Sequence, residues 1–241
     1  MRALDAAAAP PHFNVFASIR MQLKLGVGHH HDIVMASRVS NSGTCALCGQ
    51  GTTKAKMLGH LDTCAPMHDA AGSARPLIRL RIDDAYDARY WIYLEMRAEA
   101  PLRQLDAFLR QLWLECCGHL SAFSADRREL SMGRAADIAL RAVGATFRYE
   151  YDFGSTTALT GHILKGRLGP TGRAPVRLLA RNDPLMFPCT ECAAPATVVC
   201  PYCPDDGLFC NVHAEAHAHA AEEIYLPVVN SPRMGVCGYG G

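Results

Sequence analysis

Apolar and polar residues alternate most regularly between positions 75 and 182. At residues 77–82, Ile78, Leu80 and Ile82 fall on one side of an extended chain and Arg79 and Arg81 on the other. This period of two is the signature of a half-buried strand. Residues 90–96 are rich in aromatic and branched side chains and predict a second strand. Over 147–153 the alternation is cleanest. Phe147, Tyr149, Tyr151 and Phe153 share one face, Arg148, Glu150 and Asp152 the other, and Gly154 ends the run. Between these strands the period lengthens. Leu102, Leu105, Phe108, Leu109 and Leu112 recur at helical spacing behind Pro101, which predicts one long amphipathic helix ending near Gly118. Short strands are expected at 119–123 and 129–132, and two more near 158–168 and 176–180. Strands, one helix and more strands do not alternate as βαβ units would. The class predicted is α+β, with a mostly antiparallel sheet.

Outside this core the pattern fades and cysteines take over. Residues 1–40 read as disordered, or as an extension upstream of a start at Met35. Residues 41–66 form a short Cys/His segment, joined to the core by a small-residue linker at 67–74. Residues 186–226 form a dense Cys/His module, and 227–241 an irregular tail. The formal net charge is +1, so nothing global points to nucleic acid or an anionic membrane. No apolar run approaches the roughly 18 residues that span a bilayer, and the N-terminal stretch lacks the pattern of a secretory signal. The expectation is a cytoplasmic protein without a membrane partner. Its 11 cysteines then stay reduced, which favours metal over disulfides.

The spacing of these residues suits zinc, which takes four N or S ligands in a tetrahedron. Cys45, Cys48, His60 and Cys64 read Cys-x2-Cys-x11-His-x3-Cys, close to a ββα finger. Thr52 stands at the usual aromatic position of the finger's small core, with Met57 or Leu58 as its aliphatic, so the metal is expected to supply most of that segment's folding free energy. The C-terminal module offers Cys189, Cys192, Cys200, Cys203, Cys210, His213, His217 and His219, enough for two ions. Its order resembles B-box and related cross-brace modules. That resemblance implies one site of Cys189, Cys192, Cys210 and His213 and another of Cys200, Cys203, His217 and His219. Sequential pairing is the alternative. His217 and His219 reach one ion together only off a regular helix. Four protein ligands per ion leave no open position, so about three structural zinc ions are expected. Cys116 and Cys117, at the end of an apolar helix, read as packing, with a Cys117/His119 pair in redox or metal chemistry as the alternative, and Cys237 reads as a bystander.

Residues 113–123 (Trp-Leu-Glu-Cys-Cys-Gly-His-Leu-Ser-Ala-Phe) and 147–154 (Phe-Arg-Tyr-Glu-Tyr-Asp-Phe-Gly) resemble the plasmid pRiA4b ORF-3-like domain family, a family associated with mobile elements. The resemblance covers about residues 75–182. It extends to a subset with flanking zinc modules and an Asn-Ser-Pro-Arg-x-Gly-Val-Cys-Gly-Tyr tail, here residues 230–239, in which Cys often replaces His219. Many single-domain members carry Asp, Trp and His where this chain has Ser155, Thr157 and Leu159, so a polar site built on those groups is absent here. The resemblance implies a fold and no established reaction.

Two functions are therefore expected to compete. One is a non-enzymatic binding or scaffold protein whose zinc modules engage protein or nucleic acid. Closed ligand sets, and the lack of a phosphate loop or nucleophile elbow, favour it. Lys54, Lys56 and Arg38 give the finger only a modest basic character, and Leu58, Gly59 and Leu61 offer little for reading bases. The other is an enzyme with a site on the central sheet around His119, Tyr149, Tyr151 and Asp152.

Overall fold

The computed structural model of the protein describes residues 41–141, 145–203, 207–222 and 224–241. The expectations for residues 1–40, including the start at Met35 and the contribution of Arg38, lie outside them. Strands β1 (Ser42–Cys45) and β2 (Gly51–Thr53) form a hairpin that leads into helix α1 (Lys54–Met67). Strands β3 (Arg75–Asp84) and β4 (Trp91–Arg97) follow, then α2 (Leu102–Leu109). Next come β5 (Ser121–Ala125), β6 (Arg128–Leu130), α3 (Ala136–Arg141), β7 (Thr146–Tyr151), β8 (Thr157–Gly169) and β9 (Val176–Asn182). The nine strands make one sheet in the order β2-β1-β9-β4-β3-β8-β7-β5-β6, and every neighbouring pair is antiparallel. The expected combination of α and β elements with an antiparallel sheet is thus present.

The single long helix is not. α-Helical geometry stops at Leu109, and a π-helical turn over Arg110–Leu114 finishes the element. The wider turn brings Leu114, five residues beyond Leu109, onto the buried face beside Trp113. Glu115 then leaves in extended conformation, and its carboxylate accepts hydrogen bonds from Gly118 N (2.6 Å), Arg110 Nε (2.6 Å) and Tyr151 OH (3.1 Å). The longest helix of the described residues is α1, at 14 residues. A second departure occurs after β7. Asp152 adopts φ 63°, which breaks the alternation, so Asp152 is buried and Phe153 is 57% exposed.

Strand β4 is covered on both faces. Ile92, Leu94 and Met96 join Leu80, Ile82, α2 and Trp113 in the main core. Trp91 and Tyr93 point the other way, into a second core with Leu179, Ala180 and the α1 residues Met57, Leu61 and Ala65. The Cys/His segment of β1, β2 and α1 is therefore built onto the sheet. β1 pairs with β9, Gly43 opposite Asn182, and a side chain at Gly43 would collide with the Trp91 ring. This docking explains Thr52. The aromatic missing from the segment's own hairpin is replaced by Trp91 and Tyr93 of β4, so burial against the sheet stabilises the segment.

Docking also covers the polar face of β3. Arg79, expected on a solvated face, is 2% exposed. It donates to Glu95 (Nη2, 2.9 Å) and pairs with Asp62 of α1. Arg167 and Arg177 converge on the same Glu95 and on Asp69, just past α1. Burial would raise the Glu95 carboxyl, but hydrogen bonds from Arg167, Arg79 and Arg177 outweigh it and hold the pKa below the usual value. Three cations thus meet three carboxylates between the α1 segment and the sheet.

A separate three-stranded sheet, β11-β10-β12, orders the C-terminal module: β10 (Val198–Val199), β11 (Leu208–Phe209) and β12 (Leu226–Pro227), with α4 (Asn211–Ala216) after β11. The tail then returns to the main domain. Asn182 Nδ2 donates to Asn230 Oδ1 (2.7 Å), Ser231 Oγ donates to the Trp113 carbonyl (2.6 Å), and Arg233 is fully buried.

Candidate metal centres

Four protein ligands around a zinc-sized ion lie about 3.4–3.8 Å apart, because metal–nitrogen and metal–sulfur bonds of about 2.0–2.3 Å form the arms of a tetrahedron. The first cluster has these edges. Cys45 Sγ is 3.8 Å from Cys64 Sγ, and Cys48 Sγ is 3.4 Å from His60 Nε2. The turn after β1 makes this geometry. Cys45 N donates to the Gln50 carbonyl and Gly49 N to the Cys45 carbonyl (both 2.9 Å), with Gly49 at φ 77°. Two thiols are thereby presented from one turn. His60 and Cys64 sit four residues apart on α1 and complete the set. Burial pushes the Cys64 thiol up to about 12, so a cation is what would make a thiolate there.

The C-terminal ligands separate into two groups. Cys189, Cys192, Cys210 and His213 converge, with Cys189 Sγ and Cys210 Sγ at 3.3 and 3.4 Å from His213 Nδ1 and Cys192 Sγ at 4.0 Å from Cys210 Sγ. Cys200, Cys203, His217 and His219 form the other group. Cys200 Sγ is 3.5 Å from His219 Nδ1, and Cys203 Sγ is 3.3 Å from His217 Nε2. The structure thus interleaves the pairs. The difficulty of two histidines at adjacent odd positions is resolved by the backbone. α4 ends at Ala216, and His217 is extended (φ −73°, ψ 149°). His217 also offers Nε2 where His219 offers Nδ1, and the two nitrogens come within 3.2 Å.

A fourth convergence was not expected. Cys117, read as helix packing, is exposed. Its Sγ lies 3.3 Å from His119 Nε2 and 3.5 Å from Cys237 Sγ, and His119 Nε2 is 3.2 Å from Cys237 Sγ. Cys116 completes the group. Because the helix stops at Leu114, these cysteines lie on a loop where Gly118, at φ 75°, turns Cys117 and His119 to one side. The signal available was the Cys-Cys-Gly-His run together with a lone cysteine between glycines, Gly-Val-Cys-Gly.

The residues of the alternative enzyme site are committed elsewhere. Asp152 Oδ1 accepts from Gly154 N (3.0 Å) and Ser155 N (3.2 Å), and Oδ2 accepts from Arg233 Nη2 (2.6 Å). Burial raises the Asp152 carboxyl, but these bonds outweigh it and keep its pKa low. Tyr151 OH donates to Glu115, and the Arg233 guanidinium stacks 4.9 Å from the Tyr151 ring centre.

No protein-family model matches the chain, and no curated protein matches it. Among solved structures it is similar to a protein of unknown function from Methanosarcina mazei Go1, at 13% identity and a TM-score of 0.39, over 46% of this chain and 70% of the other. Among the described residues no helix is long and apolar enough to cross a membrane.

Proposed function

We propose that this chain is a zinc-binding, non-enzymatic scaffold whose ions fix the shape of surfaces for a macromolecular partner in the cytoplasm. The observation that carries this reading is that each expected cluster is a closed set of four Cys and His ligands. A catalytic zinc keeps a position for water, and these sets leave none. A protein partner is favoured over nucleic acid. Lys54 is spent on Asp83 (3.0 Å) and the Ala88 carbonyl, and the exposed side of α1 presents Ala55, Lys56, Gly59, Asp62 and Thr63. One lysine beside one aspartate is a poor phosphate surface. The central sheet is assigned to the pRiA4b ORF-3-like family on its Tyr-x-Tyr-Asp-Phe-Gly strand, whose Tyr149 and Tyr151 are core residues. The enzyme reading has weaker support, since Asp152 and Tyr151 have their polar atoms occupied. Elemental analysis of the purified chain tests the proposal. At least about three zinc ions per chain are expected, and a folded protein without zinc would overturn it. A gel shift that weakens steeply with salt would instead favour nucleic acid.

A further inference from the structure

We infer that Cys116, Cys117, His119 and Cys237 form a fourth zinc site, one that clasps the C-terminal tail to the central domain. Three thiols and one imidazole are a known structural zinc set, and the three edges among Cys117, His119 and Cys237, 3.2–3.5 Å, fall near those of a tetrahedron. Two further observations point to a built site. First, His119 is oriented like a metal ligand. Its Nε2 faces the thiols while Nδ1 turns to the Asp152 side, 3.6 Å from Oδ1, beyond hydrogen-bond distance but on the side where a carboxylate orients a ligating ring. Asp152 is itself fixed by Arg233 and two backbone amides. Second, the tail is bent to deliver its thiol. Cys237 sits at φ 49° between Gly235 (φ 77°) and Gly238 (φ 70°). A non-glycine residue enters this left-handed region at a cost and persists there only when its surroundings demand it.

Arg233 links the tail to the site. Its Nη2 is 3.5 Å from Cys116 Sγ and its Nη1 donates to Ser155 O and Thr157 Oγ1. The cation lies beside a cluster that gathers negative charge when three thiols surrender their protons to bind zinc. Cys117 and Cys237 are exposed, whereas the other three clusters each bury at least one cysteine. This site is therefore the one from which a chelator should strip zinc first.

The test compares the zinc content of the full chain with that of Cys237→Ser. The difference should be about one ion, whatever the total, so the result does not depend on the other three clusters. Cys237→His, which restores a ligand, should regain the ion, and Cys117→Ser should lose it. In the native wild type, Cys117 and Cys237 should resist iodoacetamide until zinc is stripped, a readout that needs no variant. Equal zinc in wild type and Cys237→Ser would overturn the inference. So would a wild-type mass lighter by two hydrogens, with Cys117 and Cys237 cross-linked, because the 3.5 Å sulfur pair would then be a disulfide.

Discussion

Asp84 stands at the end of β3, where its Oδ2 accepts from Asp87 N at 2.7 Å. Burial pushes its carboxyl up to about 6, from an ordinary 3.8. The folded state then holds a proton between about pH 4 and 6 that the unfolded chain has released, so this residue's contribution to stability falls as pH rises through that window. Asp84→Asn keeps an acceptor for the turn and removes the titration. Relative to wild type, the variant should gain stability at pH 7 over its standing at pH 4.5 in urea unfolding. The same difference at both pH values would refute the assignment. At this scale the sequence is least legible. Nothing in the alternation marks Asp152 as the residue that reverses β7, because its left-handed backbone is held by Arg233, 81 positions away.

At the level of elements, the docking of α1 on the sheet rests on one aromatic pair and one charge cluster. Trp91 is fully buried, stacks edge-on against Tyr93 at 5.6 Å, and donates from Nε1 to Asn41 (2.8 Å). Trp91→Ala should cost about 3–5 kcal/mol, as large aromatic truncations do. The loss should localise. Amide exchange in α1 should quicken while the strands β7 and β8 stay protected, and uniform quickening would contradict a separate second core. The strands were readable because period two survives wherever one face is buried. The clustering of the expected Cys and His residues was readable because each pair is local in sequence. The docked position of the finger was not, since Trp91 and Tyr93 supply its aromatic packing from another element. The helix was overextended for a comparable reason. Its apolar spacing continues to Leu112, whereas the chain turns π-helical at Arg110 and extended at Glu115, whose carboxylate bonds to Gly118, Arg110 and Tyr151.

For the whole molecule, the candidate metal clusters and the main apolar core lie apart. The main core around Leu80, Leu94, Trp113 and Tyr149 contains none of the twelve expected ligands, so stripping zinc should leave the central sheet in place. Trp91 and Trp113 are the two tryptophans of the chain, and Trp91 lies under the finger. Chelation should therefore shift the tryptophan emission to the red with the far-ultraviolet β signal retained. Trp91→Phe should lack most of that shift. Collapse of the β signal together with the emission would show that the ions hold the entire molecule.

The partners of Cys237 also set a timetable for biosynthesis. His119 precedes it by 118 residues, and Thr44 bonds to Asp183 across 139. A growing chain can fold the first knuckle and helix while its docking strand is still unmade, and long-range closure of this kind is slow. The clasp must come later still, after the two interleaved C-terminal sets have been translated. Zinc captured early and locally would shield the cysteines of the first knuckle. Cys116 and Cys117 would meanwhile wait, reduced and unliganded, for a thiol that has yet to be synthesised.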